Sequence, residues 1–128
     1  MVQRLRVLLV EDSDVYRESL LFLLDRDERL EVVGAAPDGR SAILACAELD
    51  PDVVVCDYRL PDLDAAEVAR EVRLVAPACA LVFLSASAGT AEYDAARRAG
   101  AALVRKDEGL GALVAAIVAA AGRAETCT

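Results

Sequence analysis

Chemically capable side chains stand in this chain wherever an apolar run stops. Glu11 and Asp12 follow Arg6-Val7-Leu8-Leu9-Val10, Asp57 follows Val53-Val54-Val55-Cys56, Ser85 follows Leu84, and Lys106 follows Arg105. The run before Asp57 is apolar without alternation and is followed by the turn Tyr58-Arg59-Leu60-Pro61-Asp62, the pattern of a parallel strand buried on both faces. An acid at the carboxyl end of such a strand lies in the crevice where open α/β sheets hold their ligands. A second acidic strand end at Glu11-Asp12 makes the pair a candidate carboxylate pocket for a divalent metal. The chain contains no histidine. That excludes an imidazole base, a histidine-ligated zinc and a histidine phosphoacceptor, so any chemistry here runs on carboxylates, hydroxyls, lysine and a bound ion.

The elements that must position these groups alternate along the whole chain. Strands are predicted at 5–10, 31–35, 52–56, 80–84 and 102–105, with helices near 14–27, 39–49, 64–75, 90–99 and 108–121. Asp38-Gly39 opens the second helix, Asp50-Pro51 closes it and Gly100 ends the fourth. Such an alternation predicts an α/β fold: a doubly wound, five-stranded parallel sheet with right-handed crossovers and helices on both faces. In the flavodoxin-like strand order 2-1-3-4-5, strands 1 and 3 are neighbours at the switch point and the edge strand 2 carries no reactive end. Asp12 and Asp57 then converge, with Ser85 and Lys106 closing the far side. Core stripes are predicted on helix 1 (Tyr16, Leu20, Leu23, Leu24) and helix 5 (Leu110, Leu113, Val114, Ile117, Val118, Ala121). One domain is expected over residues 1–122, with 123–128 as a frayed tail.

Composition narrows the partners. At 128 residues the chain buries about two thirds of its unfolded surface, and a net charge of -8 argues against direct contact with nucleic acid or an anionic membrane. No apolar run approaches the ~20 residues of a membrane span, and Met1-Val2-Gln3-Arg4 leads into a strand without a signal-peptide pattern. Cys46, Cys56, Cys79 and Cys127 lack close spacing, and three lie in apolar surroundings, so free thiols in a reducing cytoplasm are expected.

Each site residue also has a purely structural reading. Asp12 or Ser13 can cap helix 1, Asp57 can be a turn acid, Ser85 can bond its own loop, and Lys106 can pair with Asp107 or Glu108. Their shared placement at strand ends favours a site over coincidence.

The stretches Val7 to Asp12, Pro51 to Asp57 with Leu60-Pro61, Leu84-Ser85-Ala86, and Gly100-Ala101 leading to Lys106-Asp107 resemble the receiver domain of bacterial two-component response regulators. The resemblance covers nearly the whole chain. Glu31 to Ala36, Asp38-Gly39 and Lys106-Asp107 look most like the NarL type within the CheY-like superfamily. The resemblance implies that Asp57 accepts a phosphoryl group from a histidine kinase or phosphotransfer protein. It also implies that Glu11, Asp12, Asp57 and the backbone carbonyl of Arg59 hold Mg²⁺. Lys106 and Ser85 then contact the phosphoryl group, while Arg59 and Ser87 flank the path of the water that removes it. A carboxylate nucleophile suits this, since it forms an acyl phosphate with a phosphoryl donor.

Three positions depart from the family pattern. Leu103 occupies the place of the usual aromatic residue three before the lysine, the Gly100–Lys106 segment is one residue short, and Ala65 replaces a common glycine. An alternative is a receiver-fold interaction module that works without phosphorylation. A phosphatase of the haloacid dehalogenase type fits poorly, because Arg59 stands where its second aspartate is needed, and a dinucleotide site lacks Gly-x-Gly-x-x-Gly. The chain is expected to be a switch rather than a turnover enzyme, either alone or as the receiver part of a DNA-binding regulator. The smooth face of helix 5 (Gly111, Ala112, Ala115, Ala116, Ala119, Ala120), with Val15 and Phe22 of helix 1, is expected to serve self-association.

Overall fold

The computed structural model describes residues 3–126, with side chains through residue 122. In chain order it comprises β1 (Leu5–Val10), α1 (Asp14–Asp25), β2 (Leu30–Ala36), α2 (Gly39–Leu49), β3 (Val53–Asp57), α3 (Ala65–Val75), β4 (Ala80–Ser85), α4 (Thr90–Arg98), β5 (Ala102–Arg105), a 3₁₀ turn (Lys106–Glu108) and α5 (Leu110–Thr126). The sheet is parallel in the order β2-β1-β3-β4-β5. The order reverses between β1 and β3, so the crevice expected for a ligand opens above their carboxyl ends.

Period-two alternation along the strands divides the core into two layers. Val7, Leu9, Val53, Val55, Val82 and Leu84 point to one face and pack with Leu20, Leu24, Leu113 and Ile117 of α1 and α5. Leu8, Val10, Val54, Cys56, Leu81 and Phe83 point to the other and meet α2, α3 and α4 through residues such as Cys46, Val72 and Ala96. Because both faces are covered, the strands need no polar alternation, which is why they read as continuous apolar runs. Cys46, Cys56 and Cys79 are free thiols. Burial pushes those of Cys46 and Cys79 up to about 11 and about 12, so they stay protonated at neutral pH. Cys127 lies outside the described residues.

Helix starts follow their caps. The Ser13 hydroxyl accepts the Tyr16 N–H (3.3 Å), Asp38 accepts that of Ser41 (2.8 Å), and Asp64 forms a reciprocal capping box with Glu67. Several packing expectations need correction. On α1 the buried face is centred between Leu20 and Leu24, which leaves Leu23 on the rim at 42% exposure and Tyr16 half-buried. On α5, Leu110 sits at the open first turn and Val118 at the edge of the stripe, at 37% and 36% exposure. Ala120 (7%) is core rather than part of the smooth face, because it lies seven residues from Leu113 and hence on the same side. The last helix runs through Gly122 to Thr126, past the start of the expected tail, since one glycine costs only about 1 kcal/mol.

Candidate functional site

The crevice is assembled by strand register. Val10 pairs with Cys56, Asp57 with Leu84, and Ser85 with Arg105, so the reactive residues follow from neighbouring strands at one level. Asp57 is the last residue of β3 and Ser85 the last of β4, one position further inside the sheet than the sequence suggests. Both are buried, as is Glu11. Asp12 is exposed at the mouth.

Lys106 ties the acids together. Its ammonium donates to Glu11 Oε1 at 3.0 Å and lies 3.5 Å from Asp57 Oδ2. Burial alone lowers the pKa of this ammonium, but the Glu11 hydrogen bond and the charge of Asp57 outweigh burial and leave it raised. The lysine is therefore a fixed cation in the crevice. Asp107 and Glu108, its alternative partners, are engaged elsewhere: Asp107 pairs with Arg105 Nε (3.1 Å) and Glu108 accepts the Arg105 N–H (2.7 Å). The second Glu11 oxygen accepts the Ser13 N–H at 2.9 Å, and Asp57 Oδ1 accepts that of Arg59 at 3.3 Å. Ser13, not Asp12, caps α1. Among the described residues the Asp12 carboxylate has neither a hydrogen bond nor an ion pair.

One carboxylate oxygen from each of Glu11, Asp12 and Asp57 lies within 4.8 Å of the others. Mg²⁺ takes hard oxygens at about 2.0–2.1 Å in an octahedron, where opposite ligands stand about 4.2 Å apart and adjacent ones about 3 Å. Holding the ion therefore draws the three oxygens closer together, and the unengaged Asp12 carboxylate is the group freest to move. Three acids facing one lysine also leave the crevice net negative, which favours a cation. The residues fit the metal.

The remaining predicted positions are placed as follows. The Ser85 hydroxyl donates to the Ser87 carbonyl at 2.7 Å, so it bonds its own loop here. Ser87 and Arg59 are exposed on adjacent loops at the rim. Arg59 is close enough to α4 that its charge contributes, after the backbone hydrogen bonds, to lowering the Glu92 pKa. Leu103 is half-buried against the α2–α4 layer, where Tyr58 stacks edge-on against Phe83 with centroids 5.8 Å apart. Val15 and Phe22 are 77% and 62% exposed, Ala119 is exposed, and Ala112 and Ala116 are half-buried against the core.

Two residues near the site had no functional assignment from sequence. Tyr16, read as core, carries the Lys106 ammonium over its ring at 4.3 Å from the centroid. Its place three residues after the Ser13 cap, in the first turn of α1 and so beside the acidic end of β1, was the available signal. Asp62 binds the start of α2 by accepting the N–H groups of Gly39 (2.8 Å) and Arg40 (2.9 Å), a long-range contact with no sequence signature.

The fold and site together define a doubly wound α/β domain with an acidic, lysine-bearing crevice at the carboxyl edge of its sheet. A family model described as the response regulator receiver domain matches residues 7–118, and the chain belongs to that family. It is 40% identical over 132 residues to protein-glutamate methylesterase/protein-glutamine glutaminase 5 of Myxococcus xanthus, covering 94% of this chain and 38% of that protein. The corresponding figures for such an enzyme from Nocardioides are 44% over 69 residues, 54% and 19%. The chain thus spans well under half the length of these curated relatives. Among solved structures, it is similar to the signal receiver domain of the response regulator NarL from Mycobacterium tuberculosis (TM-score 0.86, 31% identity, 94% of this chain and 98% of that one). The response regulator domain of Thermotoga maritima CheB is similar too (TM-score 0.84, 30% identity, 94% and 98%).

Proposed function

We propose that this chain is a phosphorylation-activated switch of a two-component system, with Asp57 as the phosphoacceptor. The observation that carries this is Asp57 itself: a carboxylate 9% exposed at the end of β3, 3.5 Å from Lys106, with Glu11 and Asp12 oxygens within 4.8 Å. An Asp57 oxygen attacks phosphorus in a phosphohistidine of a kinase or phosphotransfer protein. The P–N bond breaks, the imidazole leaves and an acyl phosphate forms. Glu11, Asp12, Asp57 and the Arg59 carbonyl would hold Mg²⁺, which when bound supplies positive charge to the phosphoryl oxygens. Lys106 shifts from Glu11 and Asp57 toward a phosphoryl oxygen. The Ser85 hydroxyl exchanges the Ser87 carbonyl for another, a contact available only in the modified state and so able to bias a conformation. Arg59 and Ser87 border the approach of water and set the lifetime of the acyl phosphate.

Output follows a different route from the rotating aromatic common in receivers, because Leu103 has no ring to rotate. We assign it to self-association through α1 and α5, where Val15, Phe22, Leu23, Leu110 and Val118 leave apolar surface uncovered and Ala119 permits close approach. This switch works in the cytoplasm without catalytic turnover of its own, without membrane insertion and without direct contact with nucleic acid. It acts alone or as the receiver part of a transcriptional regulator. Among the described residues no helix is long and apolar enough to cross a membrane.

The test is labelling by a small acyl-phosphate donor with Mg²⁺. Wild type gains one phosphoryl mass and Asp57→Asn, nearly isosteric, gains none while keeping its fold. Labelling that persists in Asp57→Asn assigns the chemistry to another carboxylate. A wild type that neither binds Mg²⁺ nor accepts phosphate would make this an interaction module independent of phosphorylation.

A further inference from the structure

Lys106 is the only lysine among the chain's 14 basic residues, and the structure surrounds it with more than carboxylates. Its ammonium rests 4.3 Å from the Tyr16 ring centroid, well inside the ~6 Å range of cation–π attraction. The backbone that carries the ring is tied in turn to the site. Ser13 donates its N–H to Glu11 Oε2 (2.9 Å) and accepts the Tyr16 N–H on its hydroxyl (3.3 Å), while Glu11 Oε1 accepts from Lys106 (3.0 Å). Glu11, Ser13, Tyr16 and Lys106 therefore form a closed loop of contacts, and of the Lys106 partners Glu11, Asp57 and Tyr16 the ring is the one that is not a carboxylate.

That difference matters when the crevice is in use. The 3.0 Å partner of Lys106 is Glu11, one of the three carboxylates that would hold the metal. When Glu11 and Asp57 turn to a cation and a phosphoryl group, the ammonium loses its present partners. A lysine on a flexible four-carbon stem is then free to leave for water. A tyrosine face has no metal affinity under these conditions and does not compete for the ion. It retains the ammonium while the carboxylates are reassigned.

We propose that Tyr16 is a positioning residue: its ring keeps the Lys106 ammonium in the crevice, at the place where phosphoryl oxygens arrive. This rests on the phosphoacceptor reading of Asp57. The hydroxyl is dispensable to it, whereas the aromatic face is essential.

The experiment compares wild type, Tyr16→Phe, Tyr16→Leu, Lys106→Ala and Tyr16→Leu/Lys106→Ala. With isotope-labelled lysine the chain gives a single lysine side-chain signal, assigned without ambiguity. Its ε-methylene protons are expected to show an upfield ring-current shift in wild type and Tyr16→Phe, with and without Mg²⁺, and to lose it in Tyr16→Leu. Labelling by the acyl-phosphate donor at saturating Mg²⁺ is expected to be within twofold of wild type for Tyr16→Phe. For Tyr16→Leu it is expected to be about threefold to tenfold slower, the scale of a partly desolvated cation–π contact. In the Lys106→Ala background, Tyr16→Leu adds no further slowing, because the group it positions is gone. An unshifted lysine signal in wild type overturns the proposal, and so does equal slowing by Tyr16→Leu with and without Lys106, which would make Tyr16 merely structural. A wild type that is never labelled overturns the phosphoacceptor reading and the role of Tyr16 in it. The ring-current shift separately reports whether the contact exists.

Discussion

Replacing Asp12 by asparagine should make the metal-free protein more stable and the metal-loaded protein relatively less so. Asp12 donates and accepts nothing among the described residues, and it stands with Glu11 and Asp57 in a cluster whose oxygens lie within 4.8 Å of one another. At that separation each like-charge pair costs about 3.5 kcal/mol at an effective dielectric of 20 and about 0.9 kcal/mol at that of water. Asp12 is exposed, so the water limit applies and its two pairs cost about 2 kcal/mol. The adjacent start of α1 favours an acid by about 0.3–1 kcal/mol, which leaves about 1 kcal/mol in favour of asparagine. For a chain of this size that raises the melting temperature by about 3–5 °C in chelator. With Mg²⁺ at 100 times its wild-type dissociation constant, wild type gains about 2.7 kcal/mol. A variant binding tenfold more weakly gains about 1.4 kcal/mol, so its advantage falls to about zero. Thermal melts of both proteins in chelator and in Mg²⁺ measure the difference. Equal stabilisation of the two by Mg²⁺, or a variant less stable than wild type in chelator, would refute the assignment of Asp12 to the metal.

Three further outcomes are expected. Hydrogen bonds from Arg40 and Gly39 outweigh the opposing effect of burial and hold the Asp62 carboxyl below its ordinary value of 3.8, so its contribution to stability is present above that value and lost as pH falls through the lowered one. Asp62→Ala should cost about 1 kcal/mol at pH 7, as loss of a helix cap does, and the gap to wild type should close below about pH 4; a gap constant from pH 7 to 3 would contradict this. If water approaches past the rim formed by Arg59 and Ser87, as proposed, the half-life of phosphorylated protein should change at least about twofold in Arg59→Ala or Ser87→Ala, and unchanged decay in both removes them from the mechanism. Sedimentation with a phosphoryl mimic and Mg²⁺ should show dimer for wild type and monomer for Ala119→Glu, an exposed position that spares the core as the half-buried Ala116 does not; association that is equal in both, or absent throughout, moves the output to another face.

What the sequence made legible was whatever a periodicity or a strand end dictates. Val53 to Cys56 could be read as a strand buried on both faces because no polar residue interrupts it, and once that was placed, the sheet order brought Asp57 beside Glu11 and Asp12. Two helix starts were legible because Ser13 and Asp38 are short oxygen side chains that must satisfy free N–H groups, whereas Asp64, the cap of α3, was counted inside its helix. The limits are equally physical. Periodicity gives the angle of a side chain around its helix but not where the neighbouring layer ends, so Leu23 and Leu110 were placed in the core although they lie at its rim, and Ala120 was placed outside it. It also assigns one role per residue. Tyr16 is the case in point: its half-buried position on α1 satisfies the core pattern, yet the ring face at the end of the helix nearest the acids lies under the only lysine of the chain. An aromatic ring is apolar enough to count as core and electron-rich enough to hold a cation, so a hydrophobicity pattern cannot separate the two roles. The separation comes from contact with Lys106, which lies 90 residues further along the chain and reaches Tyr16 only because β5 takes its place in the finished sheet.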